Sequence, residues 1–199
     1  MKRVKQDFFE AGRYYHIYNR GNNKENIFIE EKNYFYFLEK VKKYIFPIAD
    51  IYAYVLLKNH FHIVLRIRDR EDLPEKFKNK IHLPFSNLFN SYSKSINKAY
   101  DRTGSLFQEH LQRNRIEDEN YLKQVIVYIH LNPIKHKFAK CFETYLHSSY
   151  RSYLSVKPTS IDREFILNLF GDLENFKFCH DEKKLIYEGV INDIDLIDE

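Results

Sequence analysis

The chain has 199 residues, 44% of them hydrophobic, and only two cysteines, Cys141 and Cys179. This composition excludes a disordered chain, a disulfide framework and a multi-cysteine zinc cluster. No apolar run approaches the ~20 residues that span a bilayer, and no apolar stretch follows Met1-Lys2-Arg3 as a signal peptide requires, so a cytoplasmic protein with no membrane contact is expected.

Residues 13–19 alternate and are rich in Tyr and Ile, which predicts a strand broken at Gly21-Asn22-Asn23. Tyr34, Phe37, Leu38, Val41 and Ile45 recur at helical spacing over 31–45, and Pro47 ends that helix. Residues 50–57 and 60–67 are two further strands joined by a tight turn at Lys58-Asn59. A charged loop over 69–83 leads into a second helix over 84–101, with Phe85, Leu88, Phe89, Tyr92, Ile96 and Tyr100 on one stripe. A short strand or two falls in 105–116. A third helix runs from Glu117 to Leu131 and stops at Asn132-Pro133, because the residue before proline avoids helical geometry. The order β-α-β-β-α-β-α predicts an α+β fold: a ferredoxin-like antiparallel sheet with helices packed on one face. Pro158 marks the expected boundary between a domain over 1–158 and a C-terminal extension over 159–199, acidic and partly helical.

The net charge of +4 hides an asymmetry between these parts. Residues 159–199 hold eleven acids against four bases, so residues 1–158 carry a net +11. A body so charged is a candidate polyanion binder. The acidic extension is expected to pack on the body, or to cover its basic face until a nucleic acid displaces it.

His60-Phe61-His62 lies on a predicted strand, where residues two apart point the same way. Both imidazoles then project from one face, either as surface histidines or as a pair able to share a metal ion. Gln124, Tyr128 and Asn132 follow at four-residue spacing on one helical stripe. That tyrosine is either a core-edge ring with a solvated hydroxyl or a nucleophile beside an amide ligand. Asn19, Arg20, Arg113 and Arg115, at strand ends, suit phosphate contact or ordinary solvated charge equally. Lys58, Arg66 and Lys135 join Gln124 as further candidate DNA contacts. His16, His110, His130 and His136 are expected in structural or surface roles.

The string Leu57-Lys58-Asn59-His60-Phe61-His62-Ile63-Val64-Leu65, followed by Val127-Tyr128-Ile129-His130-Leu131-Asn132-Pro133, resembles the HUH single-tyrosine transposases, and more closely their REP-associated branch. Tyr-Asn-Arg-Gly at 18–21, Gly-Ser-Leu-Phe-Gln at 104–108 and Ser-Ser-Tyr at 148–150 extend the resemblance over roughly 12–153. The resemblance implies an HUH nuclease fold, with Tyr128 as nucleophile and His60, His62 and Asn132 as ligands of a divalent metal, magnesium or manganese. It also implies cleavage and rejoining of single-stranded DNA beside hairpins through a 5′-phosphotyrosine. Many insertion-sequence relatives have glutamine where Asn132 stands, so asparagine, one methylene shorter, favours the REP-associated type. Homodimer and monomer both remain open.

Competing readings are a non-catalytic hairpin-binding protein that keeps the fold, a metal-dependent phosphoester hydrolase and a purely structural domain. The first leaves the joint presence of tyrosine, histidines and amide without a purpose. The second usually adds carboxylate ligands, which are missing beside His60 and His62.

Overall fold

The computed structural model describes residues 8–187; the ends of the chain, including 188–199 of the expected extension, lie outside the described residues. Four strands, β1 (Tyr14–Arg20), β2 (Ala49–Leu57), β3 (His60–Ile67) and β4 (Gln112–Ile116), form one antiparallel sheet in the order β2-β3-β1-β4. Helices α1 (Glu31–Tyr44) and α2 (His82–Ala99) make the two crossovers, which is the ferredoxin-like topology expected.

The alternation of side chains along β3 sorts the two faces of the sheet. Phe61, on one face, meets Phe37 of α1 and Phe89 of α2 at ring-centroid distances of 5.2 and 5.7 Å. His60 and His62 point to the other face. That face is covered by a third helix, α3 (Glu119–Lys135), so α1 and α2 share one face as expected while α3 lies across the sheet from them. The core runs through both layers, with Tyr15, Ile17, Phe61 and Leu65 completely or almost completely buried below the sheet and Ile126 and Ile129 above it.

Local chemistry sets the ends of these elements. Asn33 caps the start of α1, its side-chain oxygen accepting from the backbone of Ile29 and Glu30. Asp118 caps α3 by accepting from Tyr121 N at 2.8 Å. The chain leaves β1 at Gly21, where a Cβ would overlap the Glu25 carbonyl oxygen, so only glycine fits. The motif segments at 18–21 and 104–108 meet there: Gly21 bridges Phe107, Gln108 N donates to Arg20 O, and Asn22 N donates to Leu106 O.

One expected boundary is corrected. Helix α3 does not stop at Asn132-Pro133 but continues through Pro133 to Lys135. Proline removes one amide donor and crowds the preceding turn, but the buried flank of the helix, Leu131 to Pro133, holds it in place. His136 N then closes the last turn on Asn132 O at 3.0 Å.

Beyond the sheet, residues 147–149 run along the outer edge of β2: Leu56 N donates to His147 O, and Ser149 N donates to Tyr54 O, both at 2.9 Å. A short helix α4 (Tyr150–Leu154) follows. The expected helix of the extension is α5 (Arg163–Phe170), which ends at Gly171 with φ of 97°. Another helix, α6 (Leu173–Tyr187), follows it. Ile161, Ile166, Phe170 and Phe176 of this region are all buried, so the described part of the extension belongs to the same core. Among the described residues no helix is long and apolar enough to cross a membrane.

Candidate functional site

The upper face of the sheet carries a cluster of imidazoles beneath α3. His60 and His62 stand 5.3 Å apart, centroid to centroid, with planes at 86°. The strand register brings β1 alongside, with Arg20 opposite His60 and Tyr18 opposite His62. His16, two residues back on the same face, joins His62 through a 2.9 Å hydrogen bond between its Nε2 and His62 Nδ1. His60 Nδ1 lies 2.7 Å from Asn59 Oδ1. The amide oxygen only accepts, so His60 donates from Nδ1 and keeps the lone pair on Nε2.

Helix α3 supplies the groups from above. The Tyr128 ring meets His62 and His16 edge-on at 5.9 and 6.2 Å. One turn on, Asn132 donates from Nδ2 to Tyr128 O at 2.9 Å. Its side chain stands beside His60, whose protonated form it favours. Because α3 passes through Pro133, Lys135 stays on this stripe and holds its ammonium 4.7 Å from the Tyr128 ring centre. The His136 ring lies 4.9 Å from that of His60. Gln124, the first member of the predicted stripe, is exposed and one turn further from the imidazoles.

These imidazoles are held neutral. Burial, and then the neighbouring His136 and Arg20, push His60 down to about 3. Burial alone does the same to His16. His62 is driven well below its ordinary value by burial first, then by His16, His60, His136 and Lys135. A neutral imidazole is a lone-pair donor, which is the form a metal ion binds.

The donor set fits a divalent ion. His60 Nε2 and Asn132 Oδ1 are both buried without a hydrogen-bond partner, and orphaned polar atoms of this kind call for a purpose. Among the described residues no three His, Cys, Asp or Glu side chains converge as a metal site. The Asn132 amide oxygen, beside His60, is a side-chain donor of another chemistry that could join the two histidines. Two imidazole nitrogens and one neutral oxygen suit nickel, cobalt or zinc as well as manganese, so the donors alone do not select the ion.

The other expected contacts divide by face. Arg20 lies on the imidazole face, and Lys58 stands exposed in the turn before His60. Arg66 is also on that face but at its far end, tied by both oxygens of Asp69 at 2.8 and 2.9 Å. Asn19, Arg113 and Arg115 belong to the opposite face. Asn19 is buried, its Oδ1 accepting from Arg20 N and its Nδ2 donating to Gln108 O. Arg113 stacks over Phe9 at 4.8 Å, and lines, with Asn19, Phe89 and Phe107, a groove of about 850 Å³. Arg115 pairs with Glu10 and Glu117.

Sequence reasoning missed His16 and His136 at the site. A second buried imidazole cluster was also missed. His130, on the side of α3 away from Tyr128, shares hydrogen bonds with His180 of α6 at 2.9 Å and with Ser149 at 2.8 Å. The Ser-Ser-Tyr signal at 148–150 thus marks a packing junction between the sheet edge, α3 and α6.

No family model matches the sequence, and no curated protein matches it. Among solved structures, the chain is similar to a REP-associated tyrosine transposase bound to a REP hairpin, with a TM-score of 0.56 and 17% identity over 80% of this chain and 90% of that one. A tRNA(His) guanylyltransferase from Saccharomyces cerevisiae aligns over 96% of this chain and 83% of its own, at 16% identity and a TM-score of only 0.36. The first likeness shows a shared fold.

Proposed function

We infer that the protein is a transposase-type DNA strand transferase that cuts and rejoins single-stranded DNA next to hairpins. The observation that carries this reading is the convergence of Tyr128 and Asn132, one helical turn apart, on the neutral His60–His62 pair. The REP hairpin held by the structural neighbour supports hairpin DNA as the partner, and the +11 of residues 1–158 supports affinity for a polyanion.

The chemistry is a balanced exchange. The Tyr128 phenol oxygen attacks a backbone phosphorus, and the bond from phosphorus to the 3′-oxygen breaks. The phenol proton ends on the released 3′-hydroxyl, and the 5′-phosphate stays on tyrosine. A 3′-hydroxyl then attacks this ester, the strands are rejoined, and the phenol regains its proton. Each step exchanges one phosphodiester for another, so no nucleotide cofactor is consumed. His60, His62 and Asn132 would hold a divalent ion, magnesium or manganese, whose part is to polarise and orient the scissile phosphate. Lys135, with its ammonium 4.7 Å from the tyrosine ring centre, would favour the anionic phenol through its nearby positive charge. Arg20 and Lys58 flank the site and suit the incoming backbone.

Incubation with single-stranded hairpin DNA and manganese, followed by denaturing electrophoresis, tests the reading. A covalent protein–DNA adduct is expected in the wild type and none in Tyr128→Phe. An adduct that survives that substitution removes Tyr128 from the role. Hairpin binding with no adduct in the wild type would instead favour the non-catalytic binder.

A further inference from the structure

We propose that His16 is the positioning residue for His62: it accepts a hydrogen bond from His62 Nδ1–H and so commits His62 to the tautomer whose Nε2 lone pair can bind a metal. This rests on the metal-dependent reading above and adds a residue to it.

The two rings lie 5.1 Å apart with planes at 25°, joined at 2.9 Å through His16 Nε2 and His62 Nδ1. Both rings are buried, and two ring nitrogens 2.9 Å apart share one proton, so one donates and the other accepts. If His62 accepted at Nδ1, its proton would sit on Nε2 and block ligation. If His62 donates, Nε2 is a base. Metal-binding histidines ordinarily fix this choice by donating to a carboxylate or carbonyl oxygen.

His60 follows that rule with Asn59 Oδ1. At His62 an imidazole nitrogen takes the place of the oxygen. The substitution suits the substrate: a carboxylate buried at that point would repel the phosphodiester beside it, whereas a neutral ring accepts the proton without adding charge. His16 is itself held still. Tyr18 lies 5.0 Å away, and the Tyr128 ring edge packs at 6.2 Å. One ring therefore touches both the expected nucleophile and an expected ligand.

Two measurements on the full chain test this. Two-bond proton–nitrogen spectra of nitrogen-15-labelled histidine, taken without metal, should show His62 protonated at Nδ1. A His62 ring protonated at Nε2 would overturn the inference, and this readout needs neither metal nor variant at His16. Calorimetric titration with manganese chloride should then show His16→Leu weakened by about 10- to 100-fold. His16→Gln, whose side-chain oxygen reaches the place of Nε2, should stay within about threefold of the wild type because the acceptor is kept. A folded His16→Leu that binds manganese as tightly as the wild type would also overturn it. If the wild type binds no manganese, the metal reading itself fails, and the His62 tautomer alone decides the case for His16.

Discussion

Asn132 joins two opposite demands in one side chain. Its Nδ2 donates to a helical carbonyl, while its Oδ1 is buried with no partner. A buried unsatisfied acceptor costs about 1–3 kcal/mol, whereas the Tyr128 carbonyl it serves can keep the normal helical bond. Asn132→Leu, which keeps the branched outline without a polar atom though it is bulkier, should therefore raise the melting temperature of the metal-free protein wherever the lost desolvation cost exceeds the overpacking, as scanning calorimetry would show, and abolish adduct formation. A variant less stable than the wild type would mean that overpacking prevails or that the oxygen is satisfied in solution. The positions of His60, His62, Tyr128 and Asn132 were legible because each pairing obeys a local rule, alternation on a strand or one turn of a helix. His16 was not: its place beside His62 depends on how β1 registers against β3, forty-six residues away in sequence. Lys135 was already a candidate DNA contact, but its place on the Tyr128 stripe, and His136 at the site, were hidden behind Pro133, which reads locally as a stop.

At the scale of elements, the junction of α3 and α6 has a definite direction. His180 donates from Nδ1 to Phe176 O at 2.7 Å, so its Nε2 accepts from His130 Nδ1, and His130 Nε2 accepts from the Ser149 hydroxyl. The chain works only with both rings neutral, and burial pushes His180 from 6.5 down to about 4. A lowered histidine value means that the unfolded chain binds the proton more tightly. Stability is therefore complete above about pH 6.5 and falls as the pH drops toward 4. Urea melts across that window should lose up to about 3 kcal/mol through this group, and His180→Gln should make the profile shallower, the other buried histidines keeping the rest of the slope, while lowering stability at pH 8. An equal slope in the variant would remove His180 as the cause. The four strands and three main helices were visible in the periodicity of the sequence. Helix α6 was not, because its buried residues, Phe176 and His180, answer to α3 rather than to a clear repeat of their own.

For the molecule as a whole, charge and architecture divide the work. The sheet separates an imidazole face from a groove-bearing face, and basic residues occur on both. If hairpin DNA approaches the imidazole face, Lys58→Ala should lower the slope of log affinity against log salt by about 0.7 for a single-stranded contact. Arg66→Ala should leave that slope unchanged, since Asp69 already neutralises the guanidinium. Filter binding at several salt concentrations separates the two, and equal effects would argue against this approach.

The strand-like pairing of residues 147–149 along β2 has a consequence for how copies of the chain can meet. An open sheet edge is a template onto which another chain can zip, the route to fibres and swapped dimers. Here one flank of the sheet is already sealed by the protein's own backbone. Among the described strands, any association that extends the sheet must therefore begin at β4. That edge is only five residues long and holds two arginines, a poor seed for runaway polymerisation.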